Sequence, residues 1–177
     1  MAVSKDHPVR RRARGRHDPR RRLKAIYAEV MWLARRLDIS PSDARAWYTH
    51  VVGGGLARQI RRFTGKVSAA AVADPSAVLR LEHYTRIQTT LTSLVRRHLA
   101  LKRPRPSEFV STVIRAERVH IVTFKENYAA MHHKGNYKRA GIKLVAWNRI
   151  PRAKRLVLWR KMLRGRVANA ARYQSTR

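Results

Sequence analysis

Apolar residues recur with two different periods along this chain, and the change of period divides it. The first 22 residues carry almost no large apolar side chain. Leu23, Ile26, Tyr27, Val30, Ala34 and Leu37 then fall at i, i+3, i+4 spacing, which predicts an amphipathic helix. Ser40-Pro41-Ser42-Asp43 supplies a side-chain cap, a proline suited to a first helical turn, and a capping-box-like S-x-x-D. Ala44, Trp47, Tyr48 and Val51 form the inner stripe of the second helix. Gly53-Gly54-Gly55 stops it, because each glycine costs about 1 kcal/mol relative to alanine inside a helix. A shorter helical segment, LARQIRRFT, sets Arg58, Arg61 and Arg62 along one side and ends at Gly65; KVSAAAVA adds a short turn. Asp74-Pro75 opens the longest predicted helix, 75–101, with Val78, Leu81, Tyr84, Ile87, Leu91, Leu94 and Val95 on its seam.

KRPRP (102–106) ends that helix, since each proline disfavours the α region in the residue before it. SEFVSTVIRAE predicts a short helix. In RVHIVTF (118–124), Val119, Ile121 and Thr123 alternate with His120, Val122 and Phe124, the period of a strand. ENYAAMHHKGNYKRAG reads as helical with a weak point at Gly135, and IKLVAW (142–147) as a second strand. Strand, helix and strand together suggest a small βαβ element. Pro151 starts a last helix with Leu156, Trp159, Leu163, Val167 and Ala170 inward and Lys154, Lys161 and Arg172 on the opposite face. The expected fold is mainly α. A disordered basic arm (1–22) precedes a helical bundle body (23–101), a linker (102–106) and a basic C-terminal part (107–177) holding the βαβ element.

Charge changes this picture. The 177 residues include 41 Lys and Arg against 10 Asp and Glu, a formal net charge of +31. Residues 1–24 contribute +8, residues 25–101 only +6, and residues 102–177 contribute +17 with no acid after Glu126. Self-repulsion on this scale destabilises a compact fold unless counter-charge is supplied, so a polyanion is the expected partner. Of the basic residues 31 are Arg, whose planar fork binds phosphate bidentately and stacks on bases. Hydrophobic residues make up 44% of the chain, which permits a core and sets it apart from a wholly disordered basic protein.

The absence of cysteine removes disulfides and thiolate zinc sites, and no cofactor or metal is expected. No apolar run approaches the ~20 residues of a membrane span, and the N-terminus lacks the apolar stretch of a signal peptide. A cytoplasmic protein is expected, or a nuclear one in a eukaryote, where RRRARGRHDPRRRLK could act as a localisation signal.

The candidate phosphate-binding residues follow the basic clusters. They are Arg10, Arg11, Arg12, Arg14, Arg20, Arg21 and Arg22 of the arm, then Arg58, Arg61 and Arg62, and Lys102, Arg103 and Arg105 of the linker. Further on come Lys134, Lys138 and Arg139, and finally Lys154, Lys161 and Arg172. Tyr128, His132 and Tyr137 interleave with Lys134, Lys138 and Arg139, where aromatic faces could stack on unpaired bases while cations hold the backbone.

Two other readings stand beside this one. Leu33-Ala34, Leu37, Ile39-Ser40 and Trp47 resemble the helix-turn-helix pattern of bacterial regulators, which implies a DNA-binding regulator or a plasmid or phage accessory protein. The outward positions of the second helix, Ser42, Asp43, Arg45, Ala46 and Thr49, offer one arginine beside an aspartate, a poor reader of base edges. His120, His132 and His133, with Lys134 and nearby tyrosines, could instead serve metal-independent RNA cleavage by acid–base transfer. In size, helicity and charge the chain is similar to the basic helical small subunits of CRISPR ribonucleoprotein effectors. That similarity implies several copies packed side by side against a guide RNA or displaced strand. The sequence reading favours a non-enzymatic protein that holds RNA or single-stranded nucleic acid by its backbone, within an assembly of other subunits or copies of itself.

Overall fold

In a computed structural model that describes residues 18–52, 55–101 and 103–174, the chain is mainly helical with a small four-stranded sheet. Helix α1 (Pro19–Ala34) begins earlier than the apolar stripe predicts, because Asp18 accepts a hydrogen bond from Arg20 N at 3.0 Å and Pro19 fills the first turn. Arg20, Arg21 and Arg22 therefore sit on a helix rather than in a disordered arm. The rest of that arm, with Arg10, Arg11, Arg12 and Arg14, lies outside the described residues. Leu23, Ile26, Tyr27, Val30 and Ala34 are buried as expected, but α1 ends before Leu37, which is fully exposed. Helix α2 (Pro41–Val52) has the predicted cap, Ser40 Oγ accepting from Asp43 N at 3.2 Å.

The next segments depart from the sequence reading. Helix α3 (Gly55–Ile60) is a turn and a half, and the chain then enters strand β1 (Arg62–Ser68), which runs straight through Gly65. After the short helix α4 (Ala69–Ala73), Asp74 does accept from Ser76 N and Ala77 N, but no helix follows. Residues 79–83 form strand β2 (Leu79–His83), and helix α5 covers only Ile87–Leu99. The predicted 75–101 helix overlooked an alternation of period two, in which Leu79 and Leu81 alternate with Arg80 and Glu82. Helix α6 (Pro106–Ala116) leads into strand β3 (Arg118–Thr123), helix α7 (Phe124–His132) and strand β4 (Leu144–Ala146). A last helix, α8 (Arg152–Leu158), continues as a π-helical turn over Trp159–Leu163.

The strand order is β2-β3-β1-β4, with β1 parallel to β3 and both edge strands antiparallel to their neighbours. The expected strand, helix and strand are present as β3, α7 and β4, but β3 and β4 run antiparallel with β1 between them, so they do not form a parallel βαβ unit. Nor is KRPRP a boundary. Phe109, Val110 and Val113 of α6 pack with α1, α2, α3 and α5 into one apolar core, while β1, β2, β3, α8 and the π turn enclose a second. Each of the wholly buried Val119 and Ile121 contributes about 1.5–3 kcal/mol by leaving water.

The π turn shifts the inward stripe of the C-terminal helix. Leu163 is buried as expected, but Leu158 and Met162 are buried and Leu156 is exposed, because a π turn changes the register between the residues before it and those after it. Beyond it, Asn169 replaces a missing strand partner. Its Oδ1 accepts from Phe63 N and its Nδ2 donates to Phe63 O, both at 2.9 Å. These contacts flank an irregularity of β1 at Gly65, whose φ of +81° disfavours any side chain and where a Cβ would meet Tyr173 Oη at 3.3 Å. Asn169→Ala should lower the unfolding free energy by about 1–2 kcal/mol in urea titration, since Phe63 N loses this acceptor while Phe63 O keeps the hydrogen bond from Tyr173 Oη at 3.2 Å.

Candidate functional site

The two cores meet at Glu117, the residue between α6 and β3. Its side chain is 4% exposed, and three others converge on it. Tyr48 Oη of α2 donates at 3.3 Å, Arg61 Nε at 3.0 Å, and His83 Nε2 at the end of β2 lies at 3.2 Å. Burial alone would raise the Glu117 pKa, but the pairs with His83 and Arg61 outweigh it and hold the carboxyl below its ordinary value. Burial and the adjacent carboxylate push the Tyr48 hydroxyl well above its ordinary range, so it stays a donor.

Beside this junction lies a cleft of about 560 Å³ between α2, α3, β2 and the start of α5. Its polar lining includes Arg58, Arg61, Arg80, Arg166 and Gln88, and its apolar lining includes Val52, Leu79, Leu81, Ile87 and Met162. Arg58 and Arg61, expected along one side of a helix, both line this cleft. Arg62, expected on the same side, is instead the first residue of β1, paired in register with Arg118. Arg80 and Arg166 were not singled out in the sequence. The sequence reading places Arg80 in a helix and gives Arg166 no role, although Trp159, Arg160, Lys161 and Arg164 stand just before it.

The second feature is the outer face of α7. Thr123 and Glu126 form a full capping box at its start. Phe124, Tyr128 and Met131, at i, i+4 and i+7, are about half exposed or more. Arg80 lies 5.2 Å from the Phe124 ring centroid, and Tyr128 meets His132 edge-on at 4.8 Å. Lys134, Lys138 and Arg139 are exposed on the turn that follows. Arg86 donates to Met131 O at 2.8 Å, a cation capping the C-terminal end of the helix. A shallower depression of about 200 Å³ contains Arg86 and Met131 and shares His83, Ile87 and Gln88 with the arginine-lined cleft. The cleft and the α7 face are thus joined.

Beneath α7, on the sheet face opposite Val119 and Ile121, lies His120. Its Nδ1 is 2.5 Å from Thr64 Oγ1, and the rings of Tyr84 and Tyr137 meet it edge-on at 5.5 and 5.6 Å. Tyr137, expected to stack on bases, is thereby turned inward with a buried hydroxyl, and only Tyr128 and His132 of the three expected platforms are exposed. His120 is 3% exposed, whereas His132 and His133 lie at the exposed end of α7.

Several other expected contacts are placed differently. Lys154 Nζ donates to Val72 O and Ala73 O, and Lys161 Nζ to Pro75, Ser76 and Ala77 carbonyls, so one lysine holds the C-terminal end of α4 and the other the turn after it, rather than a free face. Trp47, expected inward, is 43% exposed and donates its Nε1 to Glu29 at 2.9 Å. Arg45 of α2 is turned toward Thr92 of α5, with Nε to Oγ1 at 3.3 Å. Arg20 and Arg21 line a small depression with Lys24 and Ser107. Arg103, Arg105 and Arg172 are exposed, and Lys102 lies outside the described residues.

Burial, with Lys66 and Arg118 nearby, lowers the His120 pKa from 6.5 to about 4. Between those values the unfolded chain binds a proton that the folded chain does not, so stability rises with pH across this window and is lost as pH falls through it. The effect should be on the order of 2 kcal/mol. Urea titrations from pH 7 to pH 4 should show that slope, and His120→Gln should flatten it. Compared with protein-family models, curated proteins and solved structures, the chain matches none.

Proposed function

We infer that this protein is a non-enzymatic nucleic-acid-binding subunit that holds RNA or single-stranded nucleic acid through its phosphates, without reading sequence. The observation that carries this reading is the α7 face, where exposed Phe124 and Tyr128 stand among cations that the fold does not neutralise. Among the described residues only three Lys or Arg side chains, Arg36, Arg61 and Arg97, are ion-paired with acids. The remaining positive charge attracts phosphate, and an aromatic face accepts any base because every base has a π surface. Trp32, Leu37 and Trp47, exposed around the α1–α2 hairpin, supply an apolar face for neighbouring subunits or copies in an assembly.

The test is binding of unrelated single-stranded sequences over a range of salt. Log K should fall linearly with log salt, with a slope of about −0.7 per phosphate contacted and alike for all sequences. Tyr128→Ala should weaken binding by about 1–3 kcal/mol for every sequence while the melting temperature is unchanged. A preference of about 10³-fold for one duplex site would replace this reading with that of a regulator. EDTA-resistant cleavage of RNA that His132→Ala or His133→Ala abolishes would replace it with that of a ribonuclease.

A further inference from the structure

We propose that the cleft beside Glu117 binds a nucleoside phosphomonoester, presented as the phosphorylated end of a strand lying on α7. The strand-end form of this inference rests on the reading above. Three arginines, Arg58, Arg61 and Arg166, line the cleft together with one carboxylate, Glu117, whereas Arg80, also part of the lining, has its guanidinium over the Phe124 ring. Glu117 takes only the Nε of Arg61, and among the described residues the Nη groups of Arg61 have no protein acceptor. Nor do the guanidiniums of Arg58 and Arg166. Three arginines with free Nη groups, around a cavity of about 560 Å³, form an anion site of nucleotide size.

The charge of this site selects among phosphates. A backbone diester carries a single negative charge, whereas a terminal phosphomonoester carries about −1.5 to −2 near neutral pH and offers three acceptor oxygens. An excess of arginine over carboxylate therefore favours the end of a strand over its interior. Val52, Leu81, Ile87 and Met162 give the attached base and sugar an apolar wall, with Gln88 and Thr49 as polar groups beside it. The shared lining at His83, Ile87 and Gln88 connects this site to Met131 on α7, so one strand can lie along the helix and finish in the cleft.

The experiment uses the full chain and an internally labelled oligouridine with a 5′-phosphate, a 3′-phosphate or hydroxyls at both ends, followed by anisotropy. One phosphorylated form should bind about tenfold more tightly than the hydroxyl-ended strand. The preference should vanish in Arg58→Gln/Arg166→Gln, whose altered side chains have no protein hydrogen-bond acceptor and whose melting curve checks the fold. It should survive Tyr128→Ala, which weakens all three strands together. Should strands show no end preference, titration with uridine monophosphate decides. Binding lost in the double-glutamine variant keeps the cleft as a phosphomonoester site but overturns the strand as its source. Absence of both effects overturns the cleft proposal, while hydroxyl-ended strands still report on α7 by themselves.

Discussion

A carboxylate removed from water at the meeting of two cores is the constraint on which this architecture depends. Desolvating such a group costs several kcal/mol unless partners replace its hydration. Tyr48, Arg61 and His83 do so from α2, from the link between α3 and β1, and from the end of β2. The same residue is tied through its main chain, since Glu117 O accepts from Arg62 N at 2.9 Å. The two parallel strands therefore start side by side, Arg62 opposite Arg118, at the point where the helical layer ends. The arginine-lined cleft lies where it does because these partners keep the helices and β2 in fixed relation around it.

The cations of this protein fall into two kinds that a charge sum cannot separate. Arg86, Lys154 and Lys161 are spent on main-chain carbonyls at the ends of α7 and α4 and in the turn after α4, where positive charge stabilises exposed C=O groups. Among the described residues, Arg58, Arg80 and Arg166 make no such hydrogen bond. The proposed role in nucleic-acid binding rests on the second kind. It draws on fewer of the basic residues than a net charge of +31 suggests.

Much of the helical layer was legible in the sequence. Leu23, Ile26, Tyr27 and Val30 mark α1 by spacing, Ser40 and Asp43 mark the start of α2, and the alternation from Val119 to Thr123 marks β3. The sheet was less legible, for physical reasons. β1 carries Gly65 at positive φ and an irregular register, so its alternation is broken, and it read as the tail of a helix. β2 is an edge strand whose Leu81, with Val78 before it, also fits a helical seam running on to Leu91. The role of Glu117 left no local signal, because its three partners come from distant segments. Lys154 and Lys161 looked free on a helical wheel, and only the tertiary approach of α4 and the turn after it gives them acceptors. On α7, Tyr128 and His132 could be read as an exposed pair, but the inward turn of Tyr137 depends on His120, which no spacing rule links to it.

The interleaving of the two layers along the chain governs how the protein can be made. Thr64 and His120, neighbours across the parallel pair, are 56 residues apart in sequence. The intervening segment contributes to both cores. Closing so large a loop must precede the contacts that reward it, which slows folding relative to a simple bundle of helices. During synthesis the central strand β1 emerges with neither neighbour yet translated, and its edges stay unpaired until α6 and β3 have left the ribosome. Throughout that interval the nascent chain presents apolar strand surface, the situation in which chaperones act.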